Sequence, residues 1–213
     1  MAGVRPEIDT VVFDVGNVLL DWDPRYLYAQ IFADPARMDW FLAEVCPPEW
    51  NIAQDGGRPW PEAEAEAIAR HPDQAQTIRA FRSRWHEMVR GPIAGSITLL
   101  EDLATAGTPL FAITNFAADT FAETRQRHPF FQHFHGIVVS GEIKLMKPDA
   151  RIYHRLADDH GVDLTRSVFI DDSAKNCAGA RAVGMQAIHF SDAASARAEI
   201  EALGFLGRRE RKR

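Results

Sequence analysis

Asp14 closes the apolar run Val11-Val12-Phe13 and stands just before Gly16-Asn17. The same construction returns far down the chain, where Val168-Phe169-Ile170 ends in Asp171-Asp172. Apolar β-branched runs that stop at a carboxylate predict buried parallel strands presenting acids at their C-terminal ends, the edge where open α/β sheets bind ligands. Between them, Leu110-Phe111-Ala112-Ile113 ends in Thr114-Asn115, and Lys147 directly precedes Pro148. Each group has its own chemistry. The Asp14 carboxylate can act as a nucleophile. Thr114-Asn115 supplies a hydroxyl, a side-chain amide and backbone N–H groups at an expected helix start, suited to a phosphate. Asp171 and Asp172 can hold a hard cation through oxygen ligands. Carboxylates gathered this closely repel, and their pKa values rise unless a cation neutralises them. A Mg²⁺ ion meets that demand and bridges a phosphoryl group to the nucleophile, leaving Lys147 to offset the remaining charge.

Parallel strands at such positions require helices between them. From about Pro92 onward the signals alternate. A helix carrying Ile97, Leu99, Leu100 and Leu103 stops at Gly107, and a strand over 110–113 leads to a helix from Ala117 to about Gln126. Ile137-Val138-Val139 is the next strand, followed by a helix opened by Pro148 and ended by Gly161. The strand Val168–Ile170, a helix from Ala174 to Ala182, the strand Gln186–His189 and a helix from Ala193 to Leu203 complete the pattern. Repeated units of this kind predict an α/β fold, a doubly wound, Rossmann-like parallel sheet with helices on both faces.

Residues 22–91 read differently. Asp23-Pro24 is a helix start, Pro61 to Arg70 is rich in Glu and Ala, and Ile78, Phe81, Trp85 and Met88 form a helical stripe. The segment predicts an all-helical cap inserted between a core made of residues 1–21 and 92–213. Trp40, Trp50, Trp60 and Trp85 are its expected core, since large aromatics dominate small cores, and Gln54 to Pro59 reads as a loop facing the site.

The bulk composition narrows the function. A net charge of −6 argues against a nucleic-acid surface, which needs clustered positive charge. The one basic run, Arg208 to Arg213, reads as a solvated tail. No stretch is apolar enough for a membrane span, and the first residues lack the apolar region of a signal peptide. Cys46 and Cys177 form no metal or disulfide pattern, so a cytoplasmic setting is expected. Cys177 reads as a buried small hydrophobe, and His128, His133 and His135 as loop or edge residues.

Four segments in order, Phe13 to Leu19, Ile113-Thr114-Asn115, Lys147-Pro148 and Phe169 to Ser173, resemble the ordered motifs of the haloacid dehalogenase-like hydrolase superfamily. Within it the chain is most similar to the α-glucose-1-phosphate phosphatases and to the phosphatase domain of soluble epoxide hydrolases. The resemblance implies Mg²⁺-dependent hydrolysis of a small phosphomonoester, such as a sugar phosphate, through an aspartyl-phosphate on Asp14. It further implies that Asp14, the Gly16 carbonyl and Asp172 bind Mg²⁺, that Thr114 and Asn115 hold the phosphoryl oxygens, that Lys147 balances charge, and that Asp171 is an auxiliary acid. Asn176 stands where many relatives carry another acid.

Gly16 departs from the pattern. Most phosphatases of the superfamily carry a second Asp there, which protonates the leaving oxygen and then activates water, a role worth roughly 10²–10⁴ in rate. Asp21 and Asp23 are the first substitutes expected from proximity to the strand, followed by the cap residues Glu49 and Asp55. The residues leave two other functions open, a 2-haloacid dehalogenase and a weakly active regulatory protein that binds metal and phosphate. Neither the particular substrate nor the oligomeric state is legible in one sequence.

Overall fold

The computed structural model describes residues 7–206, so the basic run Arg208 to Arg213 lies outside the described residues. The first core strand is β1 (Thr10–Phe13), and a short strand β2 (Leu20–Trp22) follows it. Five α-helices come next: α1 (Arg25–Ile31), α2 (Pro35–Trp40), α3 (Pro48–Asp55), α4 (Trp60–Arg70) and α5 (Ala75–Ser83). Strand β3 (Val89–Pro92) returns the chain to helix α6 (Ala94–Thr105) and strand β4 (Leu110–Thr114). Helix α7 (Ala118–Arg127), strand β5 (Gly136–Val139), the short α8 (Ser140–Ile143) and α9 (Ala150–His160) follow. The chain ends in β6 (Ser167–Asp171), α10 (Ala174–Ala182), β7 (Gln186–His189) and α11 (Ala193–Ala202).

The core sheet has five parallel strands in the order β5-β4-β1-β6-β7. Strand β1 is central, and all four of its residues are buried. Alternate side chains feed two cores, as the pleat requires. Val11 and Phe13 pack with Leu99 and Leu103 of α6 and Ile200 of α11, whereas Val12 packs with Ile152 and Leu156 of α9 and Ala180 of α10. This is why the strand reads as a continuous apolar run. Phe13 pairs with Ala112 on one side and Ile170 on the other, so Asp14, Thr114 and Asp171 end neighbouring strands on one edge.

Three sequence expectations need correction. The segment between the core halves is not all helical at its base, because β2 and β3 form an antiparallel ribbon with a bulge at Asp21/Trp22. Strands of three and four residues carry almost no periodic signal, and Gly91-Pro92 looks like a strand breaker. The stripe Ile78, Phe81, Trp85, Met88 is buried throughout, but α5 ends at Ser83 and Trp85–Met88 is a 3₁₀ turn. Its three-residue repeat keeps Trp85 and Met88 on one side, so the spacing looks helical across the break. Gln54 and Asp55 belong to the last turn of α3 rather than a loop. Helix α7 runs Ala118–Arg127, within a residue of its expected bounds.

Trp50, Trp60 and Phe81 meet edge to face or tilted at 5.2–5.9 Å between ring centroids, a small aromatic core under the helices. Trp40 lies outside it and is exposed. The helical segment is tied to the core at several points. Arg82 pairs with Asp119 and Glu123 at 2.7 Å each, and Trp60 donates its indole N–H to Asp119 at 3.1 Å. The Ser140 hydroxyl donates to the Asp55 carbonyl at 2.5 Å and accepts the Phe116 N–H at 2.8 Å. Gly141 is required beside it, since a Cβ there would lie 2.6 Å from the Ala118 nitrogen.

Candidate active site

Asp14 leaves β1 with its backbone N–H bonded to the Ile170 carbonyl at 2.8 Å, which fixes it against β6. Its Oδ1 accepts the Val15 N–H and lies 2.7 Å from Lys147 Nζ. Among the described residues no protein group hydrogen-bonds its Oδ2. Lys147 also pairs with Asp171 Oδ2 at 2.7 Å, and neither the lysine nor the Asp171 side chain is exposed to solvent. The Phe169 ring lies 5.2 Å below the ammonium. Asp171 is further held by the Ser173 N–H and by the Asn176 amide, which donates to both carboxylate oxygens. Asp172, one residue on, is exposed. Asp14, Asp171 and Asp172 each place a carboxylate oxygen within 4.8 Å of the others.

The electrostatics follow from three acids sharing one lysine. Burial pushes the Asp14 carboxyl up to about 8, with Lys147 pulling the other way and Asp171 adding to the rise. Burial also raises Asp172, aided by the charge of Asp171. For Lys147, burial acts against the charged form, but Asp14 and Asp171 outweigh it and hold the ammonium above its usual range. The cluster carries two more negative charges than positive ones when fully ionised. A divalent cation is the chemical complement of that imbalance, and hard oxygen donors suit Mg²⁺.

Thr114 ends β4 beside Asp14, and its hydroxyl is buried without a hydrogen-bond partner. An orphaned buried hydroxyl at a sheet edge is a ready donor for an anionic oxygen. Asn115 corrects the sequence reading. Its amide donates to the Lys147 carbonyl at 3.1 Å and its carbonyl accepts the Lys147 N–H at 2.9 Å, so the side chain clamps the lysine loop instead of standing free. The backbone N–H groups after it are also engaged, Phe116 by Ser140 and Ala117 by Asp55.

The acids expected to replace the missing second Asp are placed differently from their order in sequence. Asp21 accepts the Tyr26 hydroxyl at 2.7 Å and pairs with Arg90 at 3.5 Å on the ribbon. Asp23 accepts the Arg25 N–H at 2.8 Å and caps α1. Asp55, from the end of α3, instead shares a cavity of about 110 Å³ with Gly16, Trp22, Asn51 and Asn115. Nothing lies within 4 Å of where a Gly16 Cβ would be. Asp55 accepts the Ala117 N–H and the Asn51 amide at 3.1 Å each. Burial pushes its carboxyl up to about 8, the Ala117 N–H acts against this, and the charge of Asp14 adds to it. The only sequence signal for Asp55 was its place before Gly56-Gly57. The histidines His128, His133 and His135 join no metal-ligating group among the described residues, and Cys177 is buried.

Removing the charge of Lys147 tests the balance. Lys147→Met is expected to destabilise the fold by about 3–5 kcal/mol at pH 7, because it leaves the fully buried Asp171 carboxylate without its cation. Urea unfolding measures it. The loss should grow as pH rises past about 8, where Asp14 ionises beside Lys147 in the folded wild type but has no cation to meet in the variant.

Residues 54–190 match the model of the haloacid dehalogenase-like hydrolases, and the chain belongs to that family. Among individual proteins, it is 30% identical over 112 residues to a sesquiterpene phosphatase of Aspergillus oryzae; the aligned stretch spans 53% of this chain and 57% of that protein. A HAD-family enzyme of Bacteroides thetaiotaomicron has the same fold, with a TM-score of 0.67 and 19% identity over 86% of this chain and 93% of that one. The same enzyme has been crystallised with magnesium and inorganic phosphate. A 2-haloacid dehalogenase of Pseudomonas syringae is 25% identical with a TM-score of 0.58, covering 86% of each chain. No helix among the described residues is long and apolar enough to cross a membrane.

Proposed function

We propose that this hydrolase is a Mg²⁺-dependent phosphatase acting on a small phosphomonoester. The observation that carries the reading is the cluster of three carboxylates, two of them paired with one buried lysine, with the orphaned Thr114 hydroxyl beside it. Asp14, Asp172 and the Gly16 carbonyl would hold the ion. When bound, Mg²⁺ supplies Lewis-acid charge that neutralises the phosphoryl oxygens and the acids around them. The kinship to a phosphatase of Aspergillus oryzae supports the same class.

The chain's own residues then have distinct tasks. Lys147 and the Thr114 hydroxyl bind the phosphoryl oxygens, and the two bonds to Asp14 Oδ1 orient the carboxylate. Asp14 Oδ2 attacks phosphorus as the bond to the leaving oxygen breaks. Asp55 donates its proton to that oxygen, which departs as an alcohol. Water then attacks the aspartyl-phosphate, its proton passes to Asp55, and Asp14 is released with inorganic phosphate. Asp171 and Asn176 do not touch substrate; they position Lys147. The test is phosphate release from an aryl phosphate with Mg²⁺ and after its removal by EDTA. Release that is restored by added Mg²⁺ is expected, and metal-independent release would overturn the reading.

A second reading rests on Gly16. A halide leaves without a proton, so a dehalogenase has no use for an acid there, and the Pseudomonas syringae relative is a dehalogenase. Chloride release from 2-chloropropionate in EDTA would favour it.

A further inference from the structure

The 110 Å³ cavity at Gly16 does not end at the acid cluster. Trp22, Asn51 and Asp55 line it and also line a second, larger cavity of about 540 Å³. The larger space lies within the helical segment, between α1, α2 and α3, and its volume is that of a pocket for a drug-sized ligand. Its wall is made largely of Leu42, Ala43, Cys46, Pro47, Pro48 and Ile52. Ile52 is about half exposed, and among the described residues it and Trp40 are the exposed large hydrophobics.

The charged groups of the wall are already engaged. Arg25 and Asp39 pair with each other at 2.7 Å, and Asp23 caps α1. The Asn51 amide donates to Asp55. Among the buried side-chain atoms of the wall, one donor and one acceptor stay unpaired, Trp22 Nε1 and Asn51 Oδ1, and both belong to residues shared by the two cavities. A sugar brings several hydroxyls into a pocket and leaves each desolvated unless it is matched. This wall can match few of them. A hydrocarbon asks for no partners and gains from leaving water.

We infer that the larger cavity holds the leaving group of the substrate, and that this group is an apolar chain or ring system of a hydrophobic alcohol, not a sugar. The inference rests on the phosphatase reading for the placement of the phosphoryl group at Asp14. The chain then runs past Asp55 and Trp22 into the cavity walled by Leu42 and Ile52, with the ester oxygen at the junction. Apolar fit selects by size and by each buried methylene, so the substrate class is phosphomonoesters of medium-length or branched lipid-like alcohols.

The experiment compares kcat/KM of the full chain with Mg²⁺ on butyl, hexyl and octyl phosphate and on glucose 1-phosphate. Each added methylene should raise kcat/KM about fourfold, so octyl should exceed butyl by about two hundredfold, with the sugar ester far below octyl. Ile52→Glu should narrow the octyl-to-butyl ratio. A flat alkyl series, or preference for the sugar ester, with phosphate still released, overturns the inference and leaves the phosphatase reading in place. If no ester is hydrolysed, the phosphatase reading fails, and calorimetry with the inert butyl and octyl phosphonates decides the cavity by itself. Tighter binding of the octyl compound that is weakened by Ile52→Glu supports an apolar site; equal binding of the two overturns it.

Discussion

Asp14→Asn should lower phosphate release by at least about ten-thousandfold, the scale seen when a nucleophile is removed from a site whose members act as a unit. The asparagine keeps the shape and can still meet the Val15 N–H and Lys147. It cannot form the acyl-phosphate. Its fold should be at least as stable as the wild type in the absence of metal, because it removes a carboxylate that burial makes reluctant to ionise. The two readouts together separate loss of chemistry from loss of structure. A variant that retained even a hundredth of the activity would remove Asp14 as nucleophile.

Asp55→Asn has the second largest expected effect, and its size depends on the substrate. For an alkyl phosphate, whose alkoxide is a poor leaving group, release of the alcohol should fall by about 10²–10⁴. For a p-nitrophenyl ester, whose leaving oxygen needs no proton, the fall should be below about tenfold. In the wild type, single-turnover release from an alkyl ester should decline above about pH 8, where the Asp55 carboxyl loses its proton, and the variant should lack that limb. Gly16→Asp introduced into the Asp55→Asn protein has room for its side chain and should recover at least about tenfold. Equal losses on both esters would show that Asp55 acts only by holding the helices to the core. A stability measurement provides a control. An acid whose pKa rises on folding lowers stability as pH climbs from its unfolded value toward about 8, so Asp55→Asn should melt higher relative to wild type at pH 8 than at pH 5.

Much of the sheet edge was legible because its signals are local. Val11-Val12-Phe13 and Val168-Phe169-Ile170 are buried on both faces, so they carry continuous apolar runs that stop where the chain meets the ligand edge. The convergence of Asp14, Thr114 and Asp171 then follows from parallel strands that all end on one side. What was hidden depends on partners remote in sequence. Asp55 is set by contacts with Ala117 and Ser140, 62 and 85 residues away, and nothing within its own segment records them. Asp21 and Asp23 are near Asp14 in sequence, but the β2–β3 ribbon directs one to Tyr26 and Arg90 while helix capping occupies the other. The Asn115 amide looked free because its partner, the Lys147 backbone, lies 32 residues further on. The ribbon itself is too short to show a period, and its Gly91-Pro92 end disguises it.

The Ser140 hydroxyl, held between the Phe116 N–H and the Asp55 carbonyl, makes one small core side chain a fastening for the end of helix α3. On the proposed mechanism the proton donor sits on helix α3 and not on the sheet, so a phosphorylated guest that displaced this helix would meet Asp14 with no means of protonating its alcohol. On the same reading, a change in this helical segment alters leaving-group fit and proton delivery together while the sheet beneath stays as it is.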